Sequence, residues 1–142
     1  MTLKINSATL SQLHAHLEAT YPDEGAGFLL GTTNGESRQV TAILPIENAR
    51  EGAARHNRFL LTPQDTLRAE DEADERGLTL LGVFHSHPDC PNVPSEYDRE
   101  WALPFYSYTI SRVDNGQAVS IRSWRLNDDR AGYLEEVIEV VE

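Results

Sequence analysis

The sequence predicts an α/β fold in which a mixed, mostly central β-sheet is flanked by helices. Two segments, Ser7–Thr20 and Pro63–Arg76, have the features of helices. Apolar or alternating segments typical of strands lie around them, and Leu78–Phe84 is the most apolar of these. At 142 residues the chain has the length of one domain, residues 1–142, and is large enough to bury a core.

The first third of the chain predicts a helix followed by a β-hairpin. One face of Ser7–Thr20 is expected to pack in the core, since three leucines recur at helical spacing: Leu10, Leu13 and Leu17. Gly27–Gly31 and Val40–Ile46 have the composition of strands. The turn signal Thr33–Glu36 lies between them, so the two strands are expected to pair as a hairpin.

The middle of the chain predicts a loop, a short strand and a second helix. Glu47–Asn57 is polar and irregular, as surface loops are, and Arg58–Leu61 is expected to form a strand. Thr62 has the character of an N-cap, because proline follows it and an acidic residue stands three positions on. This helix is expected to run to Arg76 and to end at Gly77.

The last part of the chain predicts further strands. Leu78–Phe84 is most simply a strand that is buried on both faces. Tyr106–Ser111 and Ala118–Trp124 alternate between polar and apolar residues, and Asp114–Gly116 between them is a hairpin signal. The tail Tyr133–Val141 alternates imperfectly and fits either an edge strand or a helix, of which the strand is favoured.

The charge and composition exclude several classes of function. The net charge is −11 and the pI about 4.8, without clusters of Lys and Arg, so nucleic-acid binding is disfavoured. The single cysteine excludes an internal disulfide and favours a reducing compartment. Neither an apolar signal core nor a run of transmembrane length is present, so the expected location is the cytoplasm, away from membranes.

Two histidines and an aspartate follow the buried strand in a pattern that predicts a metal site. His85 and His87 project from the same face, because residues i and i+2 do so in an extended chain. Three prolines stiffen the loop that follows: Pro88, Pro91 and Pro94. Ser95 and Asp98 then stand at the start of a short helix, Glu96–Ala102. Two imidazoles and one carboxylate suit a catalytic zinc ion, with a fourth position for water.

Each half of this pattern alone has a simpler structural interpretation. A His-x-His sequence at a strand end can be a solvated rim, and Ser95 with Asp98 fits a helix capping box. The combination favours a metal site, and the two interpretations are compatible, because Ser95 can cap the helix while Asp98 points inward. His14 and His16 lie on different faces of the first helix and are expected on the solvent side, not as ligands.

At these residues the chain resembles a known family. His85-Ser86-His87-Pro88, followed by ten residues before Asp98, is similar to the motif of the JAMM (MPN+) zinc metalloproteases. Tyr21–Gly31 resembles the first signature of that family, with Glu24 at the glutamate position and without the cysteine of many relatives. The resemblance covers about the whole chain. It implies a compact prokaryotic member, a mixed sheet flanked by helices and a cytidine-deaminase-like architecture.

The resemblance also implies an activity. Zinc would be bound by His85, His87 and Asp98, Glu24 would be the general base, and Ser95 would donate to the oxyanion. The substrate would be a ubiquitin-like or sulfur-carrier protein, cleaved at the amide bond after its C-terminal Gly-Gly. A non-catalytic scaffold of the same fold is the alternative. The cognate carrier and the oligomeric state, monomer or homodimer, stay open.

Other zinc chemistries do not fit the spacing. The chain has neither His-Glu-x-x-His nor the Pro-Cys-x-x-Cys of nucleoside deaminases, and it has one cysteine where structural zinc sites usually need several. That residue, Cys90, is most simply a small loop side chain. A sharper hypothesis is that its thiolate reaches the open metal position, or oxidises, and so gates activity. Trp101 and Phe105 are expected to pack beneath the loop.

Overall fold

The computed structural model describes residues 1–47 and 61–142, which form seven strands and three helices. In chain order the elements are β1 (Thr2–Asn6), α1 (Ser7–Thr20), β2 (Ala26–Asn34), β3 (Ser37–Ile46), α2 (Pro63–Glu75), β4 (Thr79–Pro88), α3 (Glu96–Trp101), β5 (Ser107–Asp114), β6 (Gln117–Leu126) and β7 (Tyr133–Val141). The expected loop Glu47–Asn57 and strand Arg58–Leu61 lie, apart from their outermost residues, outside the described residues.

The strands form one closed mixed sheet in the order β1-β3-β2-β4-β5-β6-β7, and β7 pairs again with β1. The pairs β1–β3, β1–β7 and β4–β5 are parallel, and the others are antiparallel. The mixed sheet confirms the prediction, and so does the strand at Tyr133–Val141. That strand is not at an edge, however, because it closes the sheet. The expected cytidine-deaminase-like architecture is not confirmed.

Helix α1 has the predicted bounds, and its ends and inner face explain why it forms. Asn6 is the N-cap, and its Oδ1 accepts the N–H of Thr9 at 2.7 Å. Leu13 and Leu17 are fully buried and pack in a core cluster with residues of β1, β2 and β4. This core lies between α1 and the sheet, so the helix is fixed against the strands that lead to the histidines.

Helix α2 is also determined by its ends. Thr62 Oγ1 accepts the N–H of Asp65 at 3.1 Å, and Asp65 Oδ2 accepts the N–H of Thr62 at 2.9 Å, which is a capping box. Gly77 has φ of +69°, the left-handed conformation that glycine adopts readily, and ends the helix as predicted.

Among the described residues, no helix is both long and apolar enough to cross a membrane.

Strand β4 lies inside the sheet between β2 and β5 and is almost wholly buried. The two-sided burial confirms the prediction, but the strand extends through His85 to Pro88 instead of ending at Phe84. It continues because β5 pairs in parallel with it over this stretch, His87 opposite Arg112. Gly82 permits the close approach, since a Cβ there would stand 1.8 Å from the carbonyl oxygen of Ser107.

The predicted hairpins form with the expected turns. Asn115 and Gly116 between β5 and β6 have φ of +52° and +85°, as a two-residue hairpin turn requires.

Of the two aromatic residues expected to pack beneath the loop, Trp101 does so and lies edge-on against His85. The prediction for Phe105 is wrong, because that side chain is 60% exposed and contacts the ring of Tyr106. Phe105 follows the end of α3, in a segment where Leu103 is also exposed.

Candidate metal centre

The carboxyl half of β4 presents the two imidazoles on one side. His85 and His87 alternate with Ser86, which therefore faces the opposite side of the strand. All three residues are buried. The third side chain, Asp98, comes from the first turn of α3 and is 3% exposed.

The structure brings these three side chains together. The Nε2 atoms of His85 and His87 lie 3.3 Å apart. Asp98 straddles them, with Oδ1 3.4 Å from His85 Nε2 and Oδ2 3.3 Å from His87 Nε2. One ligand atom from each side chain can be chosen so that all lie within 4.8 Å of one another, which marks this group among the described residues as able to hold a metal ion.

The spacing and the donor set fit a tetrahedral zinc ion. Zinc–nitrogen bonds of about 2.0–2.1 Å at tetrahedral angles separate neighbouring ligand atoms by about 3.3–3.4 Å. The two imidazole nitrogens have this separation, and each has a different oxygen of Asp98 at the same distance. Two imidazole nitrogens and a carboxylate oxygen are also the donors of many catalytic zinc sites, where solvent takes the fourth position.

The hydrogen bonds of His87 point to a cation at the same place. His87 Nδ1 lies 2.8 Å from the carbonyl oxygen of Pro91, which accepts the Nδ1–H hydrogen. A neutral His87 then has a lone pair on Nε2, facing the carboxylate of Asp98. Two acceptors face each other, and only a proton or a metal ion can bridge them.

The pKa directions in the metal-free site also favour a cation between His87 and Asp98. Burial lowers the pKa of His87, but the hydrogen bonds to Asp98 and Pro91 outweigh it, and the pKa is raised above its ordinary value. The pKa of His85 is lowered, chiefly by burial. Burial raises the pKa of Asp98, but the charge and hydrogen bonds of the two imidazoles outweigh it and hold that carboxyl well below its usual range. Of the two imidazoles in the metal-free protein, His87 is therefore the one that binds a proton more readily.

Glu24 is carried to this centre by the pairing of β2 with β4. It precedes β2, in which Ala26 is opposite His85. Gly25 makes two bonds to the strand: its N–H donates to Ser86 Oγ at 2.9 Å, and its carbonyl accepts the N–H of Ser86 at 3.1 Å. The Glu24 side chain is 6% exposed, and its charge raises the pKa of His87. The predicted glutamate is thus buried, close enough for its charge to act on His87, and is not a solvated loop residue.

Ser86 is the residue that the sequence interpretation missed. Its hydroxyl joins the two separated motifs, since it accepts the amide hydrogen next to Glu24. The signal was present, because the middle residue of His-x-His faces away from the imidazoles and needs a polar partner when it is serine and buried.

Ser95 lies at the N-terminus of α3 in a capping box with one of the predicted ligands. Its Oγ accepts the N–H of Asp98 at 3.1 Å, and Asp98 Oδ2 accepts the N–H of Ser95 at 2.8 Å. The capping interpretation of this sequence is confirmed, and it coexists with an inward Asp98.

The loop between His87 and Ser95 is anchored on both sides. Asp89 accepts hydrogen bonds from the hydroxyl of Tyr21 at 2.5 Å and from the N–H of Asn115 at 2.8 Å. The carbonyl of Asn92 accepts the indole N–H of Trp124 at 3.2 Å. These bonds fix the Pro91 carbonyl that orients His87.

Two further side chains have different surroundings from those expected, whereas Cys90 is an exposed loop side chain, as expected. His14 and His16 are half-buried rather than solvent-facing: His14 Nε2 lies 3.2 Å from Ser111 Oγ, and His16 Nε2 lies 3.3 Å from the carbonyl oxygen of Ala26. Neither is near enough to join the metal group. Burial and the charge of Glu24 raise the pKa of the Cys90 thiol, which disfavours the thiolate that gating would need.

Comparison with known proteins decides the family. The family described as prokaryotic homologs of the JAB domain matches residues 6–127. The chain belongs to this family. The resemblance to JAMM (MPN+) proteins found in the sequence is thereby confirmed, and both motifs fall inside the matched residues.

The chain is similar to two named proteins and to one protein of solved structure. The chain is 30% identical over 116 residues to a "Probable TtuB-protein conjugate cleaving protease" of Thermus thermophilus, covering 80% of this chain and 74% of that protein. It is 35% identical over 94 residues to a desampylase of Haloferax volcanii, covering 66% and 65%. A solution structure of a Desulfitobacterium hafniense protein superposes with a TM-score of 0.86 at 29% identity, covering 99% of this chain and 93% of that one. The chain belongs to this family and is similar to proteins named as proteases, and it is therefore a hydrolase.

Proposed function

We propose that the chain is a zinc-dependent isopeptidase that hydrolyses the amide bond after the C-terminal Gly-Gly of a ubiquitin-like sulfur-carrier protein. The observation that carries this proposal is the spacing of 3.3–3.4 Å among the imidazole nitrogens and the carboxylate oxygens of His85, His87 and Asp98. The substrate class is supported by the names of the relatives, a conjugate-cleaving protease and a desampylase.

His85, His87 and Asp98 would hold the zinc ion. A bound zinc ion supplies Lewis acidity, which lowers the pKa of a coordinated water to about 7 and polarises the amide carbonyl. Among the protein groups, Pro91 orients His87 through Nδ1, and Trp101 packs edge-on against His85. Both imidazoles therefore have little rotational freedom, and so the site is preorganised.

Glu24 moves the proton in this proposal. Its carboxylate takes a hydrogen from the attacking water and then gives it to the nitrogen of the departing amine. Glu24 is 6% exposed, so its carboxylate is shielded from bulk water, as suits a group that exchanges a proton with one bound water. The two bonds between Gly25 and Ser86 support this role, because they hold the backbone next to Glu24 against the strand that carries the histidines.

Ser95 donates to the oxygen that becomes negative in the transition state. Its Oγ already accepts the N–H of Asp98, so the hydroxyl hydrogen is left for a second partner. The removal of one such donor typically lowers turnover by about 10²–10³. In this role Ser95→Ala lowers kcat and also removes the cap of α3.

The test separates metal binding from proton transfer. A conjugate of a carrier protein ending in Gly-Gly, joined to a lysine-containing peptide, is incubated with purified protein and the products are weighed by mass spectrometry. We expect wild type with zinc to release the intact Gly-Gly terminus. Glu24→Gln should bind zinc normally and lose turnover, whereas His87→Ala should lose zinc. The control Glu36→Gln alters an exposed carboxylate at the far end of β2 and should behave as wild type.

The scaffold alternative predicts a different result. A non-catalytic member would cleave no conjugate and would have no need of three converging ligands. Full peptidase activity in Glu24→Gln would overturn the proposed role of that residue, and wild-type protein that binds zinc without cleaving any Gly-Gly conjugate would favour the scaffold.

A further inference from the structure

The helix that carries Asp98 is too short to be stable alone. α3 has six residues, and isolated helices shorter than about 12–15 residues are marginal in water. Its orientation therefore depends on tertiary contacts: the packing of Trp101 against His85 and Tyr108, and the groups that bind its two ends. The direction of the Asp98 carboxylate depends on them in turn.

The N-terminal end of α3 is capped by a side chain of the helix itself. Asp98 Oδ2 accepts the N–H of Ser95 and also faces His87 Nε2 at 3.3 Å. One oxygen thus belongs both to the cap and to the candidate metal centre. Any fraying of α3 moves this oxygen, because the capping box exists only while the first turn is helical.

The C-terminal end is bound by a distant residue, Arg130, in the loop between β6 and β7. Arg130 Nη1 donates to the carbonyl of Ala102 at 2.7 Å, and Nη2 donates to the carbonyls of Arg99 at 3.0 Å and Glu100 at 3.3 Å. Arg99 Nη1 donates in return to the carbonyl of Arg130 at 3.0 Å. The last carbonyls of a helix lack partners within it, so one guanidinium here satisfies three such groups.

Charge and shape favour arginine in this position. The C-terminus of a helix has partial negative charge, which a cation stabilises. A guanidinium presents several N–H donors in a planar fork, whereas the ammonium of lysine is a point donor. The Arg130 backbone is held in the left-handed region, with φ of +61°, and its N–H donates to the carbonyl of Asn127 at 2.9 Å. The loop thus aims the side chain at the end of α3.

We propose that Arg130 is a positioning residue for the metal centre: it holds the C-terminus of α3 so that Asp98 stays directed at His85 and His87. The inference rests on the proposed function only in taking zinc as the bound ion. Sequence alone gave no sign of this role, because Arg130 stands in a short polar loop 32 positions after Asp98.

Two variants and a matched control test this. Arg130→Met removes the guanidinium but keeps an unbranched side chain, and Arg130→Lys restores one point donor. Arg76→Met is the control, since Arg76 also stands at the C-terminal end of a helix, α2, but bonds to the exposed side chain of Glu72. Zinc affinity is measured by competition with a chelator, and amide hydrogen exchange of residues 99–101 is followed in metal-free protein.

We expect Arg130→Met to bind zinc about tenfold or more weakly than wild type, as the loss of an outer partner of a ligand typically does. Amides 99–101 should exchange about tenfold faster in the metal-free variant. Arg130→Lys should give intermediate values, and Arg76→Met should leave both measurements unchanged. The absorption spectrum of the Co²⁺-loaded Arg130→Met protein should shift from that of wild type, because the carboxylate ligand is less fixed.

Two results would overturn the inference. One is zinc affinity of Arg130→Met within twofold of wild type. The other is an equal loss in Arg130→Met and Arg76→Met, which would mean a general loss of stability. Neither measurement uses a substrate, so absent cleavage in wild type would contradict the proposed function and leave this inference intact.

Discussion

Replacing Ser86 by alanine tests how the two motifs are joined. The Ser86 hydroxyl is fully buried and accepts the N–H of Gly25 at 2.9 Å. In Ser86→Ala this amide loses its partner inside the protein, which costs about 1–3 kcal/mol. The backbone bond from Ser86 N–H to the Gly25 carbonyl remains, so β2 and β4 are expected to stay paired.

The size of the expected change follows from the length of the chain. Unfolding entropy of about 2.1 cal/mol/K per residue gives roughly 300 cal/mol/K for 142 residues. A loss of about 1–3 kcal/mol then lowers Tm by roughly 3–10 °C. Tm is measured by circular dichroism on metal-free protein, so that zinc binding does not contribute. Ser11→Ala, on the exposed face of α1, is the control and should leave Tm nearly unchanged.

The same variant should separate zinc binding from turnover. Ser86 faces away from the imidazoles, so zinc content should equal that of wild type. Turnover should fall about tenfold or more, because the amide beside Glu24 is no longer held. A Tm within 1 °C of wild type, or unchanged turnover, would refute the view that this hydroxyl fixes Glu24.

Four further predictions concern the strand, metal binding, the metal-free fold and the loop. Gly82→Ala should yield little folded protein, because its Cβ would lie 1.8 Å from the carbonyl oxygen of Ser107, and soluble yield checks this against Gly132→Ala, whose Cβ would have no neighbour closer than 3.8 Å. Zinc should bind more tightly as the pH rises through the raised pKa of His87, because the imidazole must lose its proton to bind the metal. Calorimetry in two buffers measures the protons released. Zinc affinity that does not change with pH would contradict this prediction. The same raised pKa stabilises the metal-free fold below the unfolded pKa of histidine, and this contribution is lost as the pH rises through the folded pKa. Trp124→Phe should weaken zinc binding several-fold by freeing the Asn92 carbonyl; affinity equal to that of wild type would show that the loop needs no such anchor.

Much of the candidate site could be predicted from sequence because its geometry is local. Alternation along an extended strand is enough to place His85 and His87 side by side. The capping pattern is enough to put Ser95 and Asp98 in the first turn of a helix. The turns at Asn115 and Gly77 were found for the same reason, since their backbone conformations depend on the residues at the turn itself.

Tertiary structure alone decided the features that join segments distant in the chain. β7 closes the sheet by pairing with β1, and its own sequence is compatible with an edge strand. Arg130 holds the end of α3 across 28 to 31 positions, and Ser86 holds Gly25 across 61. Residue patterns encode the preference of each segment for helix, strand or turn, whereas the choice of partner is made when the whole chain packs. The sequence therefore determined which residues are candidates for binding and reaction, and the packing determined that the segment next to Glu24 pairs with the strand that carries the histidines.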